Sequence, residues 1–470
     1  MTVLAAILAL VLASHTPEKT PAQVDPTPPG TKLLIVVPAG MSDALAGFVE
    51  FKKARTPVEV INLNDALARN HGCDDAEKLK HELFTAWKDR GVRYVLLVGD
   101  ADVLPVRYMA LDRVTPQAFD YAFYPSDLYY ADVAKNDGSF EDWNGRKDGF
   151  HAGYFGEVRG EKNKTDPINY DGVDYLPELA VGRWPVSTAA QAKVVADKTM
   201  AYQRGLESGT KPGAATAEMV AVGGWVDARA TLDGAAKSLG EAWTTERLYY
   251  SDGPADDAAK PDESHVVKAM NTGVGLVMHA GHGADDRWEG SLSVKSIAKL
   301  HNADRLPVVL SAGCSTARFA TLPPYEPYVD NAGVSHKGTN AGEVFKEPPP
   351  PPSCYATGAA NMTGLGERLL RDGPDRAVAY FGCNTGSQPC GLTLLSGFAK
   401  AASTQRTIGD CWAEAVTYYF EREHLATIKP TADWYPASIY FQGMKYMLLG
   451  DPSAPMPAAP QQPQPAGPAR

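Results

Sequence analysis

The chain has 470 residues, 44% of them hydrophobic and 21% charged, with a net charge of −11 at neutral pH and a pI near 5.5. This is globular composition, long enough for a large core or two domains. The acidic balance, with no Lys/Arg-rich run, excludes a nucleic-acid binder that works by neutralising phosphates.

The N-terminus, MTVLAAILALVLASHTPEKT, carries an unbroken apolar run from Val3 to Ala13. The run is too short to span a bilayer comfortably, and Val11 and Ala13 suit the −3 and −1 positions of a signal-peptidase site. We read residues 1–13 as a signal peptide, which places the protein outside the cell or in its envelope. An uncleaved N-terminal membrane anchor is the alternative, and no later segment reads as transmembrane. Residues 14–31 are Pro/Thr-rich and read as a linker.

From Lys32 the pattern alternates. KLLIVVP reads as a buried strand, SDALAGFVEFKKAR as an amphipathic helix opened by a Ser cap, PVEVINL as a strand, DDAEKLKHELFTAWKDR as a helix and VRYVLLVGD as a third strand. Apolar strands alternating with helices mean a parallel sheet covered on both faces. Residues 105–178 interrupt this rhythm with Asp, Tyr and Gly. It resumes with ELAVGRWPV, a long helix around 187–206, EMVAVGG, and helices near 229–239 and 262–271. The strands VGLVMHA, LPVVLSA and AVAYFG follow, then helices near 391–404 and 408–425, then YFQGMKYMLLGDPS. Residues 320–355, with LPPYEPY and the proline run Pro348–Pro352, read as a long surface insertion, either a lid over a cleft or an exposed spacer. Residues 453–470 read as a disordered tail. We therefore expect an α/β protein of two adjacent subdomains, 32–178 and 179–452.

Two strand ends carry candidate chemistry. VGLVMHAGHG delivers His279 and His282, and LPVVLSAGC delivers Cys314. The segment between them holds the helical pattern SVKSIAKL, so a parallel crossover makes the two strands neighbours with one crevice at their ends. A cysteine nucleophile works as its thiolate. A histidine can hand a proton to a leaving amine, and a developing oxyanion needs backbone N–H donors. His282 and Cys314 suit the first two roles, and the N–H groups of Gly283 and Cys314 suit the third. Cys383 and Cys390 are spaced to close a small disulfide loop in an exported protein, whereas Cys73, Cys354 and Cys411 lack obvious partners. No Cys/His cluster has zinc spacing.

These residues support a resemblance. HAGHG followed by SAGCSTA resembles the motifs of the caspase-like (clan CD) cysteine peptidases and, more narrowly, the gingipain family. RYVLLVGDADVLPVRY, LAVGRWPVSTAAQAKVVADKTMAYQ, VGLVMHAGHGADDRW and LLGDPSAP resemble further motifs of that family in the same order, over about residues 32–453. The resemblance implies a caspase-like fold of two mostly parallel sheets flanked by helices. It implies an exported cysteine endopeptidase that forms a thioester acyl-enzyme with protein or peptide substrates and requires no cofactor. His282, rather than His279, matches the catalytic histidine, and Cys314 the nucleophile. A catalytically silent surface or binding protein of the same family is the alternative.

Counted from Gly223-Gly224, Asp233 falls where Arg-specific members place a carboxylate for the P1 side chain, with Asp227 the nearby alternative. The aromatic partner of that pocket has no counterpart in FGCNTGSQPC. Trp288 is a candidate pocket wall or a core residue, and Asp285 and Asp286 are candidates to orient His282. The stretch 126–149 offers Asp127, Asp132, Asp142, Asn144 and Asp148, dense oxygen ligands that suit a structural calcium without EF-hand spacing.

Overall fold

The apolar segments line up in a single sheet. The computed structural model describes residues 32–112, 116–145, 147, 149–159, 167–211, 213–252, 260–356, 364–429 and 437–457. The expected signal peptide and linker, Asp148, and residues 458–470 lie outside the described residues.

Ten strands form the sheet: β1 (Lys32–Val37), β2 (Val58–Asn62), β3 (Val92–Val98), β4 (Ala180–Trp184), β5 (Thr216–Ala221), β6 (Thr244–Tyr249), β7 (Leu276–Ala280), β8 (Val308–Ser311), β9 (Ala379–Cys383) and β10 (Tyr446–Leu449). Their spatial order is β2-β1-β3-β4-β10-β9-β8-β7-β5-β6. The two expected sheets are thus joined edge to edge into one, and the joint is the pairing of Leu449 with Arg183. β4, which the sequence groups with the second subdomain, runs beside β3 from Tyr94–Ala180 to Val98–Trp184. Strand direction reverses once. β10 is parallel to β4 and antiparallel to β9, so the carboxyl ends of β7, β8 and β9 share an edge with the start of β10.

Alternate strand residues face opposite helical layers, as the pleat requires. Leu34 and Val36 share a core with Leu79 and Leu83 of α2 (Asp75–Arg90), Leu232 of α4 (Arg229–Leu239), Leu394 of α7 (Gly391–Ala402) and Trp412 of α8 (Ile408–Arg422). Leu33, Ile35 and Val37 share the other with Phe48 of α1 (Ser42–Lys53), Val195 of α3 (Ala189–Glu207), Met270 of α5 (Glu263–Thr272) and Leu369 of α6 (Leu365–Arg371). Asp74, Thr188, Asp262 and Thr407 cap their helices with side-chain oxygens. The expected Ser cap of α1 is not used: Ser42 is the first helical residue, and Met41 before it makes no capping bond.

The interrupting segment builds a small sheet in which Tyr108–Asp112 lies between Phe123–Pro125 and Phe155–Arg159. The proline-rich insertion is not a free spacer. Prolines lack an N–H but keep their carbonyls, so other groups must supply the donors. Tyr154 Oη donates to Pro349 O at 2.6 Å, Tyr328 Oη to Pro350 O at 3.0 Å, and Asn331 N–H to Pro351 O at 3.0 Å. Val106 N–H reaches Cys354 O at 2.6 Å and ties the insertion to the first half of the chain. The start of the expected tail is also ordered: Ala454 and Met456 are buried, and Ile408 N–H donates to Ala454 O. Among the described residues no helix is long and apolar enough to cross a membrane.

Candidate active site

β7 and β8 are parallel neighbours, with His279 opposite Ser311, so the two strand ends do lie side by side. The connection between them is not the expected helix. It is a short ribbon, Gly283–Ala284 against Arg287–Trp288, followed by a single 3-10 turn at Ser296–Lys299. Gly283 leaves β7 against the backbone of Cys314. A Cβ there would stand 2.9 Å from Cys314 N and 2.7 Å from Cys314 O, so only glycine fits. Past Cys314 the chain turns sharply, with Ser315 in the left-handed region at φ 58°. Two bonds hold that turn: Ser315 N–H to Thr385 O at 2.7 Å and Ala317 N–H to Cys383 O at 2.9 Å.

The Cys314 thiol is half-buried. Its Sγ accepts the Ser387 N–H at 3.3 Å and lies 3.6 Å from Ser387 O. His282 is exposed, with Nε2 2.9 Å from the carbonyl oxygen of Gly224. A carbonyl can only accept, so Nε2 carries the proton and Nδ1 is left for a reacting group. Sequence reasoning uses Gly224 only as a landmark and passes over Ser387. The available signal for Ser387 was that CNTGSQ follows β9, the next parallel strand, whose end falls on this same edge.

The other candidates sit elsewhere. His279 is buried, stacked on Trp288 at 4.2 Å, and its Nδ1 meets Ser311 Oγ at 2.9 Å. Burial pushes its pKa down to about 3, which keeps the ring neutral. Trp288 is fully buried and its Nε1 donates to Tyr380 Oη at 3.0 Å, so it belongs to the core and not to a pocket wall. Asp285 pairs with Arg318 at 2.8 Å and Asp286 with Arg287 at 2.7 Å. Asp233, on α4, pairs with Arg247 of β6 at 2.6 Å and also accepts Tyr249 Oη, so its charge is already taken. Asp227 is held by Arg229 at 2.8 Å, and the same guanidinium binds Asp252. All six cysteines are free, and Cys383 is buried at the end of β9, so the expected Cys383–Cys390 loop is not closed.

Among the described residues of the acidic stretch, the expected ligands have partners within the protein. Asp127 grips the buried Arg183 guanidinium at 2.7 Å. Asp132 accepts Trp143 Nε1 at 2.9 Å, Asp142 pairs with Lys147, and Asn144 Nδ2 donates to Ala152 O at 3.0 Å. Among the described residues no three His, Cys, Asp or Glu side chains group around a metal position. The cation there is Lys80 of α2, fully buried, 4.0 Å over the Tyr129 ring and 5.2 Å over Trp143, facing the charges of Asp132 and Glu141.

Comparison with known proteins bears on this site. The sequence model described as peptidase family C25 matches residues 26–457. The fold is similar to that of the Arg-specific cysteine proteinase gingipain R (RgpB), with a TM-score of 0.59 and 17% identity over 91% of this chain and 78% of that one. It is similar to the complex of Porphyromonas gingivalis RgpB pro- and mature domains, with a TM-score of 0.58 and 16% identity over 90% of this chain and 79% of that one. At these identities the likeness is one of fold. An uncharacterised protein of Archaeoglobus fulgidus is 25% identical over 241 residues. The chain spans about half the length of this curated relative, with 48% of each covered.

Proposed function

Because the chain belongs to peptidase family C25, we propose that it is an exported cysteine endopeptidase that cleaves protein or peptide substrates at Cys314 with His282 as its acid–base partner. The observation that carries this reading is the backbone contact of Gly283 with Cys314. It brings the strand end that carries His282 beside Cys314 and its backbone N–H, which supports this reading.

In this reading Cys314 loses its proton to solvent and His282 takes one at Nδ1. The thiolate adds to the scissile carbonyl carbon, and the π electron pair moves to oxygen, where the N–H groups of Gly283 and Cys314 stabilise it. The intermediate collapses to a thioester as the C–N bond breaks, and His282 passes its proton to the departing amine. Now neutral, His282 takes a proton from the incoming water, which adds to the thioester and releases the carboxylic acid and the thiolate. Thiolate, imidazole and backbone N–H suffice for these steps, so the reaction needs no cofactor. The apolar run from Val3 to Ala13 supports export.

The test is a broad peptide library with wild type and Cys314→Ala, alongside a thiol-directed peptidyl probe. Cleavage and labelling that vanish in Cys314→Ala are expected. A wild-type protein that neither cleaves any library member nor takes the probe overturns the reading.

A further inference from the structure

The loop that meets the Cys314 thiol is itself held by a buried cation. The Gly386–Ser387 peptide presents its N–H to Cys314 Sγ at 3.3 Å, and its carbonyl oxygen accepts Lys445 Nζ at 3.1 Å. Both groups belong to one planar unit and point in opposite directions in the trans peptide. The positive end of that peptide dipole therefore faces sulfur while the ammonium sits on the negative end.

Lys445 is only 4% exposed, with Nζ 4.3 Å from the Tyr124 ring centroid and 4.4 Å from that of Phe441. A charge withdrawn from water acts more strongly on its neighbours than an exposed one. The geometry of the loop is over-determined. Lys445 O accepts Asn384 N–H at 2.9 Å, Ser387 Oγ meets Tyr446 Oη at 2.7 Å, and Gln442 Nε2 reaches Ser387 Oγ at 3.4 Å. The consecutive residues Lys445 and Tyr446 thus grip the consecutive residues Gly386 and Ser387. They reach this edge because β10 runs antiparallel to β9.

We infer that Lys445 is a positioning residue for the nucleophile, poling the Gly386–Ser387 peptide so that its N–H favours the thiolate of Cys314. The inference rests on the reading of Cys314 as the nucleophile. Ser387 O, 3.6 Å from sulfur, accepts the S–H of the neutral thiol, so the loop offers a partner to each protonation state. The cation decides between them, because it strengthens only the N–H contact. The arrangement explains a lysine inside the otherwise apolar run GMKYMLLG, where its burial has no surface role.

The experiment is peptide-resolved alkylation of Cys314 by iodoacetamide on the full chain, followed from about pH 5 to about pH 10. Relative to wild type, the midpoint of the rate–pH curve should move up by about half a pH unit in Lys445→Met, less than a directly contacting charge would give, because a peptide stands between cation and sulfur. The limiting rate at high pH should be unchanged. Lys445→Gln keeps a donor for Gly386 O without the charge, should show the same rise, and carries the test if Lys445→Met does not fold. Tyr446→Phe loosens the same loop and should lower the melting temperature without moving the midpoint. An unmoved midpoint in a folded charge-removal variant overturns the inference. A wild-type Cys314 that resists alkylation at every pH overturns the nucleophile reading instead.

Discussion

Gly283 and Cys314 touch through their backbones across two strand ends, so closely that a Cβ on Gly283 would lie 2.9 Å from Cys314 N. Gly283→Ala must push the two segments apart and, under the proposed mechanism, displace the N–H donors from the oxyanion. We expect kcat/KM on peptides to fall by about 10²–10³, the range for losing one such donor. Unfolding free energy should fall by about 1–3 kcal/mol, as for overpacking elsewhere. Peptide hydrolysis and urea titration on one preparation check both. Retained hydrolysis would remove Gly283 from the mechanism.

His282 and Cys314 have different partners, Gly224 O for the imidazole and the Ser387 backbone for the thiol. The thiol therefore keeps its surroundings when the imidazole is removed. In His282→Ala, alkylation of Cys314 by iodoacetamide should stay within about threefold of wild type, while peptide cleavage falls by about 10²–10⁴ for want of a proton donor to the amine. Parallel alkylation and cleavage assays separate the two effects.

Trp288 stacks on His279 and donates to Tyr380 Oη, well inside the core. Trp288→Phe keeps most of the ring but leaves that hydroxyl without its donor. A loss of about 1–3 kcal/mol in stability is expected from the orphaned group, with kcat/KM within about twofold. A changed P1 preference in the variant's cleavage profile would return Trp288 to the substrate pocket.

Glu218 of β5 is 2% exposed, and burial, together with the charge of Glu246, pushes its pKa up to about 8. The folded carboxyl holds its proton more tightly than the unfolded one. Its contribution is therefore complete below the ordinary carboxylate range and drains away as pH rises towards 8. Glu218→Gln has nothing to ionise. Its stability relative to wild type should grow from pH 5 to pH 8, reaching about 2 kcal/mol or more. Urea unfolding of both proteins at the two pH values measures this, and parallel curves would refute it.

Much of the frame was legible because strands buried on both faces are apolar along most of their length, as KLLIVV, VRYVLLV and LVMHA are. β6 was missed because it is an edge strand whose Thr244, Glu246 and Arg247 face water, which erases that signal. The union of two sheets was illegible for another reason. It depends on one pairing, Leu449 with Arg183, between segments far apart in sequence. The His282 and Cys314 strand ends were readable because glycines mark them. Ser387 acts through its backbone, which leaves no trace in residue type. In sequence, oxygen-rich side chains look alike whether they await an ion or face a lysine. Here the cation comes from Lys80, on a helix made long before the loop.

The reversal of β10 also bears on synthesis. This strand lies between β4 and β9 in the middle of the sheet, yet it is translated after every other strand. Until it emerges from the ribosome, the halves of the sheet have no shared strand, and the loop facing Cys314 lacks its grip from Lys445 and Tyr446. A nascent chain therefore carries Cys314 before the residues that organise the loop facing it. Under the proposed function, that order leaves the site unorganised until the last strand of the sheet has joined it.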